Sequence, residues 1–222
     1  MRFPNAAKGI NKIFASEILS LIATIASGIA AILTILFVDS GSTGNSAGAI
    51  ASELSILIFG IAGLMLMFIA FIFQLIGVIQ ASKDESFFKA VIFLTLAGLL
   101  FTAIAQWFIT SNAIVYNICG TLALVIDIVA SLFMILGISS LASQCENNVI
   151  VDKCGTLFRV ILWIAIVGLI TKFFSIFVTS QSAKAIVAVF SVISLILNIT
   201  QYVLYIMILA KTRKMLKETK EN

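Results

Sequence analysis

Apolar residues gather along this chain in six long blocks, separated by short polar interruptions. The blocks lie at about 18–38, 54–79, 87–109, 118–141, 158–178 and 186–209. Each holds the ~20 residues that a helix needs to cross the ~30 Å of hydrocarbon in a bilayer. Within every block, small and polar residues recur at three-and-four spacing, the period of a helix face. Gly60, Gly63, Met67, Ala70, Gln74 and Gly77 do so in the second block, and Gly120, Ala123, Asp127, Ser131 and Met134 in the fourth. The opposite faces are Ile, Leu, Val and Phe. Lipid tails give helices no hydrophobic reason to associate, so close approach at small residues and polar bonds across the contact must hold them together. The pattern predicts an all-α fold: a polytopic integral membrane protein of six transmembrane helices in a bundle, with the small and polar stripes turned inward.

Residues 1–17 form a basic segment with Ile10, Ile13 and Phe14 on one helical face and Lys8 and Lys12 off it. That pattern fits a helix lying in the headgroup layer, and a frayed charged terminus fits equally. The first apolar block is longer than the core of a signal peptide, so it reads as a retained span. Residues 18–209 make the transmembrane domain, and 210–222 a basic tail. Loops are expected at 39–53, 80–86, 110–113, 142–157 and 179–185. With the N-terminus inside, Arg2, Lys8, Lys12, Lys83, Lys89, Lys153, Arg159 and the five basic residues of the tail all fall on the inner side. Only Lys184 falls outside, and Lys172 falls within a span. That bias in short loops places both termini in the cytoplasm of a plasma (inner) membrane.

A shift of seventy residues lays Phe88-Lys89 on Phe158-Arg159 and Gly98-Leu99 on Gly168-Leu169, and a further shift back lays Gly28 on Gly98. The alignment suggests three tandem helical hairpins related by an axis along the membrane normal. Chance alignment of apolar helices gives the same score. If the repeat holds, Gly28, Gly98 and Gly168 are equivalent points of close helix packing.

Composition narrows the chemistry. Of 222 residues 61% are hydrophobic and 11% charged, against roughly 25% charged in soluble domains, so the lipid bilayer is the first partner. There is no histidine, which removes the commonest metal ligand and general base. Cys119, Cys145 and Cys154 lack the spacing of a zinc site. No phosphate-binding glycine loop occurs, and Asp127 has no second intramembrane carboxylate of the kind an aspartyl protease needs. No cofactor, metal site or enzymatic activity is expected. The net charge of +4 sits beside the spans, where it sets orientation and gives no argument for nucleic acid.

What remains is a short set of polar residues inside apolar blocks: Asp127, Lys172, Asn198, Gln201, Tyr205 and Gln74. An amide costs several kcal/mol in hydrocarbon without a partner, and a charge at mid-membrane at least ~2.5 kcal/mol. Asp127 and Lys172 are placed to form an ion pair. Alternatively, Lys172 snorkels outward while Asp127 is protonated or bonded to Asn198. Two functions fit. In one, the polar interior carries or conducts a small solute, or serves as the membrane subunit of a transporter. In the other, the protein is a non-transporting scaffold or accessory subunit whose stripes pack against a membrane partner or a second copy.

Overall fold

A computed structural model describes residues 3–37, 47–177 and 181–218, with side chains described for 3–29, 54, 57–112, 114–170, 193–194 and 196–218. The backbone forms six helices: α1 (Pro4–Phe37), α2 (Ala47–Ala81), α3 (Phe87–Trp107), α4 (Ala113–Gln144), α5 (Asn148–Phe177) and α6 (Gln181–Glu218). No strand occurs among the described residues. Five stretches are long and apolar enough to cross a membrane: Pro4–Ile29, Leu57–Ala81, Phe87–Trp107, Ile114–Gln144 and Asn148–Ile170. Their outward residues are large and apolar, with Trp107 83% and Phe93 74% exposed. Such a surface suits lipid and not water.

The chain divides into two compact units, one of residues 1–10 and 78–222, the other of residues 11–77. In the smaller unit α1 and α2 meet at Gly63, where an added Cβ would collide with Ser27 Oγ. Glycine there lets the two backbones approach. In the larger unit α3 packs on α4, α4 on α5 and α5 on α6.

The α3–α4 contact has a fixed antiparallel register. Glu85 just before α3 meets Ser140, Phe88 meets Gly137, and Gly98 meets Asp127. Residue numbers rise by three and then ten on one side while falling by three and ten on the other. Phe88 is fully buried, and a Cβ at Gly137 would lie 2.9 Å from its ring. Phe87 and Phe133 add a tilted ring pair at 6.2 Å.

The best-buried side chains of this unit cluster at one end. They include Phe88 of α3, Ile138 and Leu141 of α4, Cys154 and Leu157 of α5, and Leu209 and Thr212 of α6. The turn between α2 and α3 closes the same end. Asp84 caps α1 from a distance: its Oδ2 accepts from Asn5 N at 2.8 Å and Ala6 N at 2.7 Å, and its Oδ1 from Asn5 Nδ2 at 2.9 Å. With Pro4 as the first helical residue, these are the donors that a cap must satisfy. Buried Glu85 accepts from Ser140 Oγ at 2.7 Å and Gln144 Nε2 at 3.0 Å, tying the start of α3 to the end of α4.

The helices outrun the apolar blocks wherever charge begins. From Pro4 the N-terminal segment is the first part of α1, with Ala6 and Ile10 buried. The expected loop 142–157 shrinks to Cys145–Asn147. Asn147 N donates to Ala142 O at 2.9 Å and Glu146 N to Ser143 O at 3.0 Å, with Glu146 at φ 58°. This is a Schellman ending with glutamate in the left-handed position where glycine is usual. Asn147 then starts α5, its Oδ1 accepting from Ile150 N at 3.2 Å. The basic tail is also helix as far as Glu218, with Thr212, Met215 and Leu216 buried and Lys211, Lys214 and Lys217 exposed. Charged residues on a helix that leaves the bilayer look like loop to a hydropathy reading, and that explains all three differences.

Candidate functional site

Four helices of the larger unit line an open cavity of about 460 Å³. Each contributes its small or polar face. Thr102, Ala105 and Gln106 come from α3, Tyr116, Gly120, Ala123, Asp127 and Ser131 from α4, Gly168 from α5, and Ser194, Asn198 and Gln201 from α6. On α4 these positions follow the three-and-four series of one helical face. Leu124, Ile128, Ile161 and Ile164 complete the wall with apolar surface.

Asp127 stands in the middle of this wall. It lies fourteen residues from the first residue of α4 and seventeen from the last, roughly 21 and 26 Å along the axis at 1.5 Å per residue. Its side chain is exposed to the cavity. A methyl group at position 98 would lie 2.6 Å from Asp127 Oδ1, so the bare glycine of α3 provides the space in which the carboxylate sits. The Asp127 backbone oxygen accepts from Ser131 Oγ at 2.9 Å. The carboxylate has no hydrogen-bond or ion-pair partner among the described residues. Asn198 is held by its own helix, Nδ2 donating to Ser194 O at 2.7 Å and Ser194 Oγ at 3.3 Å. Its carbonyl oxygen is left for other contacts. Asp127 is the one charged residue among the described lining.

The residues singled out from the sequence therefore divide. Asp127, Asn198 and Gln201 share one cavity. Tyr205, one turn beyond Gln201 on α6, is half-buried outside the lining. Gln74 belongs to the smaller unit and does not line the cavity. The Lys172 side chain lies outside the described residues. Among the described residues, no hydrogen bond joins Asp127 to Asn198 or Gln201. A Cβ added at Gly28 or Gly168 would meet nothing within 4 Å, whereas Gly98 lies tight against Asp127.

Tyr116 went unnoticed in the sequence because it precedes the apolar block. The signal was available, since 116 continues the series 120, 123, 127 and 131 back by one turn. Asp84 and Glu85 read only as turn residues, and nothing local marks them as partners of Asn5 and Ser140. Among the described residues no three Cys, Asp or Glu side chains gather as metal ligands would, and Cys119, Cys145 and Cys154 are free thiols. Comparison with protein-family models, with curated proteins and with solved structures finds no match to this chain.

Proposed function

We propose that the protein carries or conducts a small solute across the membrane, alone or as the membrane subunit of a transporter, through the cavity around Asp127. The observation that supports this most is the cavity itself, about 460 Å³ between α3, α4, α5 and α6, with a mid-helix carboxylate that has no partner among the described residues. A scaffold needs no such space. Packing alone would favour a closed contact between small faces, because every void forfeits dispersion contacts. Intramembrane carboxylates that persist face water-filled paths or partners.

The reading includes six spans with both termini in the cytoplasm of a plasma (inner) membrane. Lys83, Lys89, Lys153, Arg159, Lys211 and Lys214 support it, since they fall at the α3-start, α5-start and α6-end side of the larger unit. A reporter fused within residues 39–46 is expected outside and one at the C-terminus inside; finding both on one side would contradict the topology.

The functional test is efflux from proteoliposomes loaded with a mixture of small amines, carboxylates, amino acids and sugars. At least one component should leave faster than from protein-free liposomes, and Asp127→Asn should abolish the difference. Equal retention with and without protein would contradict the reading. The accessory-subunit alternative rests on one observation, the open space beside Gly28 and Gly60 in the smaller unit. It predicts co-purification of a stoichiometric membrane partner or a stable homodimer.

A further inference from the structure

We infer that the cavity binds an amphiphilic monocation, an ammonium group carried on a compact apolar body, with the ammonium at Asp127. The inference rests on the solute-carrying reading and names its substrate class.

Three observations carry it. First, the described lining holds one formal charge, the Asp127 carboxylate, and no Lys or Arg. An anion would meet repulsion there, and a neutral solute would leave the carboxylate unpaired. Second, the carboxylate accepts no hydrogen bond from the protein among the described residues. A carboxylate oxygen with no partner among the described residues is matched by a donor carrying positive charge. The Asn198 amide, turned back onto Ser194 through its NH2 group, presents a second acceptor and not a competing donor. Third, the wall is two-sided. Leu124, Ile128, Ile161 and Ile164 give apolar surface within the same cavity. A bare inorganic ion would use only the polar side, and the volume of about 460 Å³ falls in the range of organic-ligand pockets.

Gly98 is the positioning residue. Because a Cβ there would lie 2.6 Å from Oδ1, the glycine decides where the carboxylate can stand.

The test uses three probes with one skeleton and different charge: 2-phenylethylammonium, 2-phenylethanol and phenylacetate. Binding to the full-length protein in neutral detergent is measured by isothermal titration calorimetry. The ammonium should bind at least tenfold tighter than the alcohol, and phenylacetate more weakly still. Asp127→Asn should reduce ammonium affinity by about 10–100-fold, the value of one charge-assisted bond, and leave the alcohol unaffected. Asp127→Glu, which keeps the charge, should keep the preference, so loss in the Asn variant cannot be put down to misfolding. Gly98→Ala should weaken ammonium binding and not alcohol binding. Equal affinity for ammonium and alcohol would overturn the inference, as would a preference that survives Asp127→Asn or no binding of the ammonium at millimolar concentration. Asp127-dependent efflux of another solute without ammonium binding would remove the cation class and leave the transport reading standing. Loss of both would remove both.

Discussion

An alanine methyl at position 98 would lie 2.6 Å from Asp127 Oδ1, and one at position 137 would lie 2.9 Å from the Phe88 ring. Gly120 and Gly168, by contrast, have nothing within 4 Å of such a methyl. Four substitutions of one kind should therefore separate into three classes. Gly137→Ala should cost about 1–3 kcal/mol, the usual penalty of overpacking. Gly120→Ala and Gly168→Ala should leave stability unchanged or raise it by up to ~1 kcal/mol, because alanine is the better helix former. Gly98→Ala falls between, since a carboxylate moves more easily than a buried ring. Melting temperatures in detergent decide the order, and equal effects at 120 and 137 would contradict the packing described. Another residue-scale prediction concerns charge. A side-chain hydrogen bond with Lys153, and then the charge of that neighbour, lower the pKa of Lys211 from its ordinary 10.5. The protonated pair repels in the folded state, so the unfolded chain binds more protons in the window below pH 10.5, and stability rises with pH there. Lys211→Met should raise the melting temperature at neutral pH and flatten that alkaline rise. An unchanged alkaline slope in the variant would show that Lys211 is not its source.

The elements end by devices that the chain does not advertise. Glu146 closes α4 with φ 58°, a conformation costing about 1–2 kcal/mol in any residue with a Cβ. Glu146→Gly should therefore stabilise the protein by about 1 kcal/mol, measurable as a rise in melting temperature; a fall would mean that the glutamate side chain has a role of its own. Asp84→Ala strips three hydrogen bonds from the start of α1 and should cost about 1–2 kcal/mol. Limited trypsin digestion should then cut sooner at Lys8, and an unchanged digestion rate would contradict the long-range cap. These features explain what the sequence could and could not reveal. Hydropathy finds the apolar middles of all six helices, because lipid demands them. It fails at their charged ends, where Asp152, Lys153 and the run from Lys211 to Lys217 sit on helix and not in loops. The turn at Glu146 lacks the glycine that usually marks it. Asp84 meets Asn5 across 79 positions of chain, a pairing that no local pattern encodes. Within the site, the three-and-four series singled out Asp127 and Asn198, and both line the cavity. It could not show that Gly98 faces the carboxylate, because register between helices is set by packing.

The whole molecule answers to two solvents. Where the helix ends leave the apolar blocks, large side chains such as Phe88, Leu141, Leu157 and Leu209 are buried, since only there does water reward burial, by about 1.5–3 kcal/mol per side chain. Along the apolar middles, large residues such as Leu100 and Trp163 face outward, and the inward faces are small and polar. The cavity at Asp127 lies in that middle region, where a polar space has no packing reason to exist. Its access to water is thus the most direct test of the account. Single cysteines at Gly120 and Ser194, and as controls at Leu100 and Trp163, are placed in a background with Cys119, Cys145 and Cys154 replaced. Each variant is reconstituted into liposomes and exposed to a membrane-impermeant, positively charged methanethiosulfonate. Rapid modification is expected at Gly120→Cys and Ser194→Cys, and none at Leu100→Cys or Trp163→Cys. Silence at positions 120 and 194, equal to that of the lipid-facing controls, would mean a dry interior and contradict that expectation.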